Sequence, residues 1–325
     1  MRTLRGNQAL GEALAQEMSC DARVFLFGED VARHGGVYRV TEGLLERFGA
    51  ARVMDTPISE SGIVGLAVGA ALLGMRPVVE IQFTDLITAA MDQIVNTAAK
   101  VRYVSNGAMH VPLVVRTVNL GKGNVYSSQA LEAWFVHVPG LKVVMPSNPY
   151  DAKGLLISAI RDPDPVVFIE HKSLYGMRGA VPEEPYAIPF GHAEIRRPGS
   201  DVTVVAWSGA VALVEAAATD AAAEGVDVEV IDLRTLVPFD RKTVVDSVTK
   251  TGRLVIVHEA VQRGGMGAEI AATIGQSEAF GYLQAPIMRV ANPGVPVPFS
   301  EALQKLALPS KDAVLAAIRT VTGHA

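Results

Sequence analysis

Cysteine is nearly absent from this sequence: Cys20 is the single one among 325 residues. An internal disulfide framework is therefore excluded, which fits a reducing compartment. Neither sign of charge dominates. The net charge is −5, and no run of five like charges occurs, so the basic footprint of a nucleic-acid binder is missing. The longest apolar run, Gly62 to Met75, is Gly-rich and falls short of the roughly 20 residues a bilayer-spanning helix needs. Met1 to Glu12 carries no apolar core of a secretion signal. These absences give the expectation of a cytoplasmic protein with neither a membrane nor a nucleic acid as partner. Common site signatures are missing too: there is no CxxC pair, no HExxH and no Walker A loop. Gly121-Lys122-Gly123 and Gly264-Gly265-Met266-Gly267 both fail the dinucleotide fingerprint, which argues against a nicotinamide site.

What the sequence does have is a regular alternation. Val24 to Gly28, Val78 to Gln82, Val111 to Arg116, Leu141 to Met145 and Pro165 to Glu170 read as short apolar strands. Between them, Glu60 to Met75, Asp85 to Tyr103 and Pro149 to Arg161 read as helices. A Pro-rich stretch from Tyr175 to Pro198 reads as a linker. A second alternating block starts at Asp201 and closes with a helix over Pro309 to Thr322. The predicted fold is α/β, with mostly parallel sheets covered on both faces. The expected boundary lies near residue 190, dividing residues 1–190 from 191–325.

Candidate site residues follow from position. Glu29-Asp30 ends a predicted strand at its carboxyl end, where α/β proteins place ligands. Glu60, in DTPISES, opens an apolar helix. It is either a first-turn carboxylate favoured by the helix dipole or a carboxyl that exchanges a proton with a ligand. Gly62, Gly65 and Gly69 on the same helix each cost roughly 1 kcal/mol against alanine, and close backbone packing is the natural reason. Arg161-Asp162-Pro163-Asp164-Pro165 is a solvated turn or an oxygen-lined cation site. His137 and His171 could be acids or bases, though lone histidines beside apolar segments are more often structural.

Several long segments resemble one family as an ordered set: GEDV (28–31), GGVYRVTEGL (35–44), RVMDTPISESGIVG (52–65), GMRPVVEIQF (74–83), DQIVNTAAKVRY (92–103), EAWFVHVPGLKVVMPSNPYDAKGLL (132–156), AIRDPDPVVFIEHKSLY (159–175) and VIDLRTLVPFD (230–240). The sequence is similar to the beta subunits of the thiamine-diphosphate-dependent component of 2-oxo acid dehydrogenase complexes, a family that includes pyruvate, branched-chain 2-oxo acid and acetoin dehydrogenases. The resemblance implies a pyrimidine-binding domain followed by a transketolase C-terminal-like domain. It also implies a separate alpha subunit that holds the cofactor's diphosphate through magnesium and a GDG motif absent here, in an assembly of two alpha and two beta subunits. Acyl transfer to lipoyl groups of an acyltransferase core would follow oxidative decarboxylation of a small 2-oxo acid, or cleavage of acetoin. Glu60 aligns with the family's catalytic glutamate, which exchanges a proton with the pyrimidine ring. Ile58 and Gln82 align with residues lining the pyrimidine pocket. Leu113, Ala159, Ile160, Asp162 and Asp164 align with a structural potassium site.

Two positions depart from the family pattern. Ser127-Ser128-Gln129 stands where the family usually has His-Ser-Gln, whose histidine belongs to the active site, and serine is no base at neutral pH. Leu86 stands where an aromatic usually lies near the pyrimidine, so a stacking contact worth about 0.5–1.5 kcal/mol is lost. Both departures motivate the rival reading of a degenerate, non-catalytic assembly subunit, against which the retained Glu60 argues.

Overall fold

A computed structural model describes residues 1–323. The chain forms two compact units, the first made of Met1–Leu120 and Trp134–Phe190, the second of Gly121–Ala133 and the chain from Gly191 onward.

The first unit contains β1 (Arg2–Arg5), β2 (Val24–Gly28), β3 (Val53–Asp55), β4 (Arg76–Ile81), β5 (Val114–Asn119), β6 (Lys142–Val144), β7 (Val166–His171) and β8 (Arg178–Val181). Six of them form a parallel sheet in the order β6-β7-β5-β4-β2-β3. Every residue of β2, β5 and β7 is buried, because helices cover both faces. That is why β2 and the first part of β7 read as continuous apolar runs rather than as alternation. On one face the Gly6–Cys20 helix sets Leu10, Leu14 and Met18 against Leu155, Leu156 and Ile160 of the Pro149–Arg161 helix. The latter starts sharply: Asn148 accepts from the Asp151 amide at 2.9 Å, and Pro149 follows at the first helical position.

Two expectations need correction. The stretch read as a linker is partly strand. β8 pairs antiparallel with β1, Arg2 opposite Val181, and Glu194–Arg197 forms another strand. The wholly buried Lys153 pins the chain after β8, donating to Glu12 Oε1 at 2.6 Å and to the carbonyls of Pro182, Glu183 and Glu184 at 2.8–3.1 Å. Nor is Asp85 to Tyr103 one helix. It is a 3₁₀ turn at Leu86–Ala90, a π-type stretch at Asp92–Ala98 and an α turn at Val101–Val104. Ile87, Ala90, Ile94 and Ala98 are buried along it.

The second unit contains β9 (Glu194–Arg197), β10 (Val202–Ala206), β11 (Val228–Asp232), a short β12 (Thr235–Val237), β13 (Leu254–Val261) and β14 (Met288–Asn292). Its sheet runs β14-β13-β10-β11-β9, parallel except for β9 at the edge. The Ala210–Ala223 and Lys311–Thr322 helices bury Val214, Ala218, Val314 and Ile318 together against this sheet. Among the described residues, no helix is long and apolar enough to cross a membrane.

Candidate active site

Parallel strands present their carboxyl ends along one rim, and three of these ends form a mouth in the first unit. Gly28 of β2 is in register with Asp55 of β3 on one side and Glu80 of β4 on the other. Neighbouring strands lie about 4.8 Å apart, so Glu29, Thr56 and Ile81 follow side by side, and Gln82 leaves the sheet one residue beyond them. Gly28 is required at this rim. Its φ is +157°, and a Cβ would sit 2.5 Å from the Glu80 carbonyl oxygen. The Asp55 carboxylate accepts from the amides of Ala32 at 2.7 Å and Arg33 at 3.3 Å, holding the loop after Glu29 against β3. The Thr56 amide donates to the Gly28 carbonyl at 3.0 Å. Pro57, Ile58 and Ser59 then turn the chain into the Glu60–Leu72 helix, which starts when the Ile63 amide reaches the Ser59 carbonyl at 2.8 Å.

The sequence-derived residues therefore gather at this mouth. Glu60 is half-buried in the first helical turn, where the dipole favours a carboxylate. Gln82 and Leu86 are half-buried just beyond β4, and Ile58 is 80% exposed. Glu29, noted from its strand end, faces the same charge field. Burial first, then the Glu60 and Asp30 carboxylates, push its pKa up. Thr56 is the residue that pattern did not single out. Its hydroxyl oxygen is buried and has no hydrogen-bond partner. An aminopyrimidine ring presents nitrogen acceptors and an exocyclic amine on an otherwise flat apolar body. A carboxyl, an unsatisfied hydroxyl, an amide and two apolar side chains at one mouth fit such a ring.

Beneath the mouth lies a buried charge cluster. Arg116 of β5 donates to Glu80 Oε2 of β4 at 2.6 Å and, through two nitrogens, to the Glu170 carboxylate of β7 at 2.7 and 2.9 Å. The Tyr175 hydroxyl donates to Glu170 at 2.6 Å. Burial alone would lower the Arg116 pKa, but Glu170 and Glu80 outweigh it and hold the guanidinium charged. Burial raises the Glu170 pKa even against Arg116. The cluster cross-links three adjacent strands directly behind the rim.

The residues aligned with a potassium site do not fit a resident ion. The Leu113 carbonyl accepts from the Val166 amide at 2.9 Å and the Ala159 carbonyl from the Asp162 amide at 3.3 Å. Arg76 donates to the carbonyls of Ile160 and Asp162 at 2.8 and 3.2 Å. Lys142 takes the Asp162 carboxylate at 2.6 Å, and Arg102 takes Asp164 at 2.6 and 2.7 Å. Each oxygen has a donor, and three fixed side-chain cations supply the positive charge. Exchanging potassium for sodium at constant ionic strength is accordingly expected to leave the melting temperature unchanged. A resident ion at a hundred times its Kd would instead add about 2.7 kcal/mol.

The histidines are structural or peripheral. His171 caps the short Lys172–Gly176 helix and bonds the Ser173 hydroxyl at 2.6 Å, and His137 is exposed. The glycines of the Glu60–Leu72 helix are only partly explained by this chain. A Cβ at Gly65 would press within 3.3 Å of Gln93, while at Gly69 it would meet nothing. Gly69 shares an outer face with Leu66 and Leu73, 58% and 87% exposed.

In the second unit, Ser127, Ser128 and Gln129 sit on the Gly121–Ala133 segment. Ser128 is buried and accepts from the Asn124 amide at 3.0 Å, closing the loop on itself. Gln304 reaches in from the C-terminal region to the Gly123 carbonyl at 3.2 Å.

Comparison with known proteins gives concordant matches. Residues 3–178 match the family described as transketolase, pyrimidine binding domain, and residues 191–314 match transketolase, C-terminal domain. The chain is 47% identical over 324 residues to a pyruvate dehydrogenase E1 component subunit beta of Rhizobium meliloti, covering 99% of this chain and 70% of that protein. It is 45% identical to a 2-oxoisovalerate dehydrogenase subunit beta of Bacillus subtilis, covering 96% of each. It is 48% identical to the acetoin:2,6-dichlorophenolindophenol oxidoreductase subunit beta of Cupriavidus necator, covering 98% and 97%. A solved split-gene transketolase, an inactive beta4 tetramer, superposes with a TM-score of 0.82 at 21% identity over 98% of both chains.

Proposed function

This chain belongs to the family of beta subunits of thiamine-diphosphate-dependent 2-oxo acid and acetoin dehydrogenases, and from that premise we propose that it is the pyrimidine-binding half of a catalytic site completed by a separate alpha subunit. The observation that supports this most is the rim of the first unit, where β3 and β4 end on either side of Gly28 and lead on to Thr56, with its unpartnered hydroxyl, to Glu60 and to Gln82. In this reading residues 1–190 form the pyrimidine-binding domain and 191–325 the transketolase C-terminal-like domain.

When bound, thiamine diphosphate supplies the carbon nucleophile and the electron sink that cleavage beside a carbonyl requires. The part of this chain is to place and charge the pyrimidine. Glu60, at the start of its helix, holds a proton at a ring nitrogen. Gln82 and Thr56 fix the ring's orientation, while Ile58 and Leu86 cover its faces. Leu86 offers less stacking area than an aromatic, so cofactor affinity rests more on the polar contacts. Magnesium and the diphosphate fall to the alpha subunit, since this chain has no GDG sequence. The outer face of Gly62, Leu66, Gly69 and Leu73, apolar and exposed, supports a helix-packing interface with a partner subunit in a two-alpha, two-beta assembly. An acyltransferase core bearing lipoyl groups would receive the product, in the cytoplasm.

The relatives act, by their names, on pyruvate, 2-oxoisovalerate and acetoin, and similar identities to all three do not choose among them. The test is co-purification with an alpha subunit, thiamine diphosphate and magnesium, followed by dye reduction with pyruvate, 3-methyl-2-oxobutanoate and acetoin. Turnover of one substrate supports the reading and names it. A well-formed, cofactor-loaded complex silent on all three would favour an assembly subunit.

A further inference from the structure

Two glycine motifs that match no cofactor fingerprint turn out to bracket one buried cluster. The Gly121–Ala133 segment, which starts with the first of them, ends in Glu132, 1% exposed. Glu132 Oε1 accepts from the Trp207 indole nitrogen at 3.3 Å, and Oε2 is buried without a partner. The Trp207 ring lies flat on His258, centroids 5.1 Å apart and planes 12° apart. His258 is wholly buried, and neither ring nitrogen makes a hydrogen bond. The second motif forms the wall behind it. A Cβ at Gly265 or Gly267 would lie 2.8 or 2.6 Å from the imidazole. Glycine is needed there so that the ring can lie flat under Trp207.

Two of the segment's side-chain attachments are of different kinds. At its start, the Gln304 amide holds the Gly123 carbonyl from outside. At its end, Glu132 is plugged into the Trp207–His258 stack. Between them lie Val125 and Tyr126, exposed, and the Ser127-Ser128-Gln129 loop. We propose that Glu132 is a positioning residue: seated on Trp207 in its neutral form, it fixes the loop carrying Ser127-Ser128-Gln129, and it releases that loop when it ionises. The functional consequence rests on the reading of this chain as a catalytic beta subunit, whereas the anchoring does not.

The chemistry follows from burial. An ionised carboxylate wants several donors, and this seat offers only the backbone N–H of Glu132 and the indole N–H of Trp207, both short of what burial costs it. Burial, with a small contribution from Glu259, therefore raises the Glu132 pKa to about 7 against the pull of its own backbone N–H and of the Trp207 N–H. No cation compensates. His258 faces the same stack, but burial and Arg289 lower its pKa to about 4, so it stays neutral throughout. The sign is fixed by the raised value. The seat is fully occupied below the unfolded value of 4.5 and is lost as pH rises through about 7.

The experiment uses the full chain, in a Trp134→Phe background that leaves Trp207 as its sole tryptophan, by itself for the emission and cleavage readings and in complex with its alpha subunit for acyl transfer. Trp207 emission is expected to titrate with a midpoint near pH 7, and tryptic cleavage after the exposed Lys122, normalised to an unstructured substrate, to rise over the same range. In Glu132→Gln, which keeps the shape without the charge, both should be flat. In Trp207→Phe, which keeps the ring on His258 without the N–H, cleavage should be raised at every pH. Acyl transfer should fall on the order of tenfold or more above the midpoint in wild type, with KM little changed, and not in Glu132→Gln. Identical titrations in wild type and Glu132→Gln, or pH-independent cleavage in both, would overturn the proposal. If the complex showed no turnover at all, the fluorescence and cleavage results would still decide the anchor, and only the reading of the chain as catalytic would fall.

Discussion

Glu60→Gln is expected to lower cofactor-dependent turnover by roughly 10²–10⁴-fold, the range attached to a positioned proton-transfer group, while leaving folding and subunit assembly intact. The argument is local. Glu60 stands at the start of a helix whose buried residues, Ile63, Val64, Ala67, Val68 and Ala71, do not include it. Its carboxylate sits half-buried at the rim, so the amide substitution leaves no buried hole. A dipole contribution of only about 0.3–1 kcal/mol is at stake for stability. Side-by-side steady-state assays and melting curves separate the two effects. A variant that loses stability and keeps its turnover per folded molecule would make Glu60 an ordinary first-turn carboxylate.

The second large effect is on stability. Arg116→Met is expected to destabilise the first unit by about 3–5 kcal/mol, because it leaves the Glu80 and Glu170 carboxyls buried together without their cation. All three side chains are at most 6% exposed, so water cannot take the place of the guanidinium. A drop of about 10 °C in the corresponding calorimetric transition would be typical of that loss. Adding Glu80→Gln and Glu170→Gln to Arg116→Met should recover much of it, since the cost lies in unpaired charge rather than in lost packing. A triple variant no better than the single one would place the cost in the shape of the Arg116 side chain.

How much of this could be read from the amino acids depends on how local each cause is. β2 and the start of β7 are legible because burial on both faces turns each into an apolar run, and β5 because Val114 and Val115 extend such a run from Val111. The Pro149–Arg161 helix is legible because Asn148 and Pro149 announce its start. β1 and β8 are not: β1 is mostly exposed, and the pairing joins residues from opposite ends of the first unit. The break-up of Asp85–Tyr103 is invisible in composition, since the same good helix formers serve 3₁₀, π and α turns and only the packing chooses. Glu60 is ambiguous by spacing. The resemblance favours the catalytic reading, and Glu29 and Thr56 come beside Glu60 only through the pairing of β2 with β3. Arg116, Glu80 and Glu170 lie in strands whose order cannot be deduced from periodicity. Glu132, Trp207 and His258 are far apart in sequence, so nothing local marks their stack. Nothing local in the sequence shows that Arg76, Arg102 and Lys142 come to the oxygens aligned with a potassium site.

The central claim is that this chain supplies only the pyrimidine side of a shared site. The direct measurement is thiamine-diphosphate binding by calorimetry, with magnesium present, to this chain alone, to the alpha subunit alone and to their mixture. Tight, stoichiometric binding that appears only in the mixture and weakens in Glu60→Gln is the predicted result. Tight binding by this chain alone, or binding by the mixture that is indifferent to Glu60, would contradict the account.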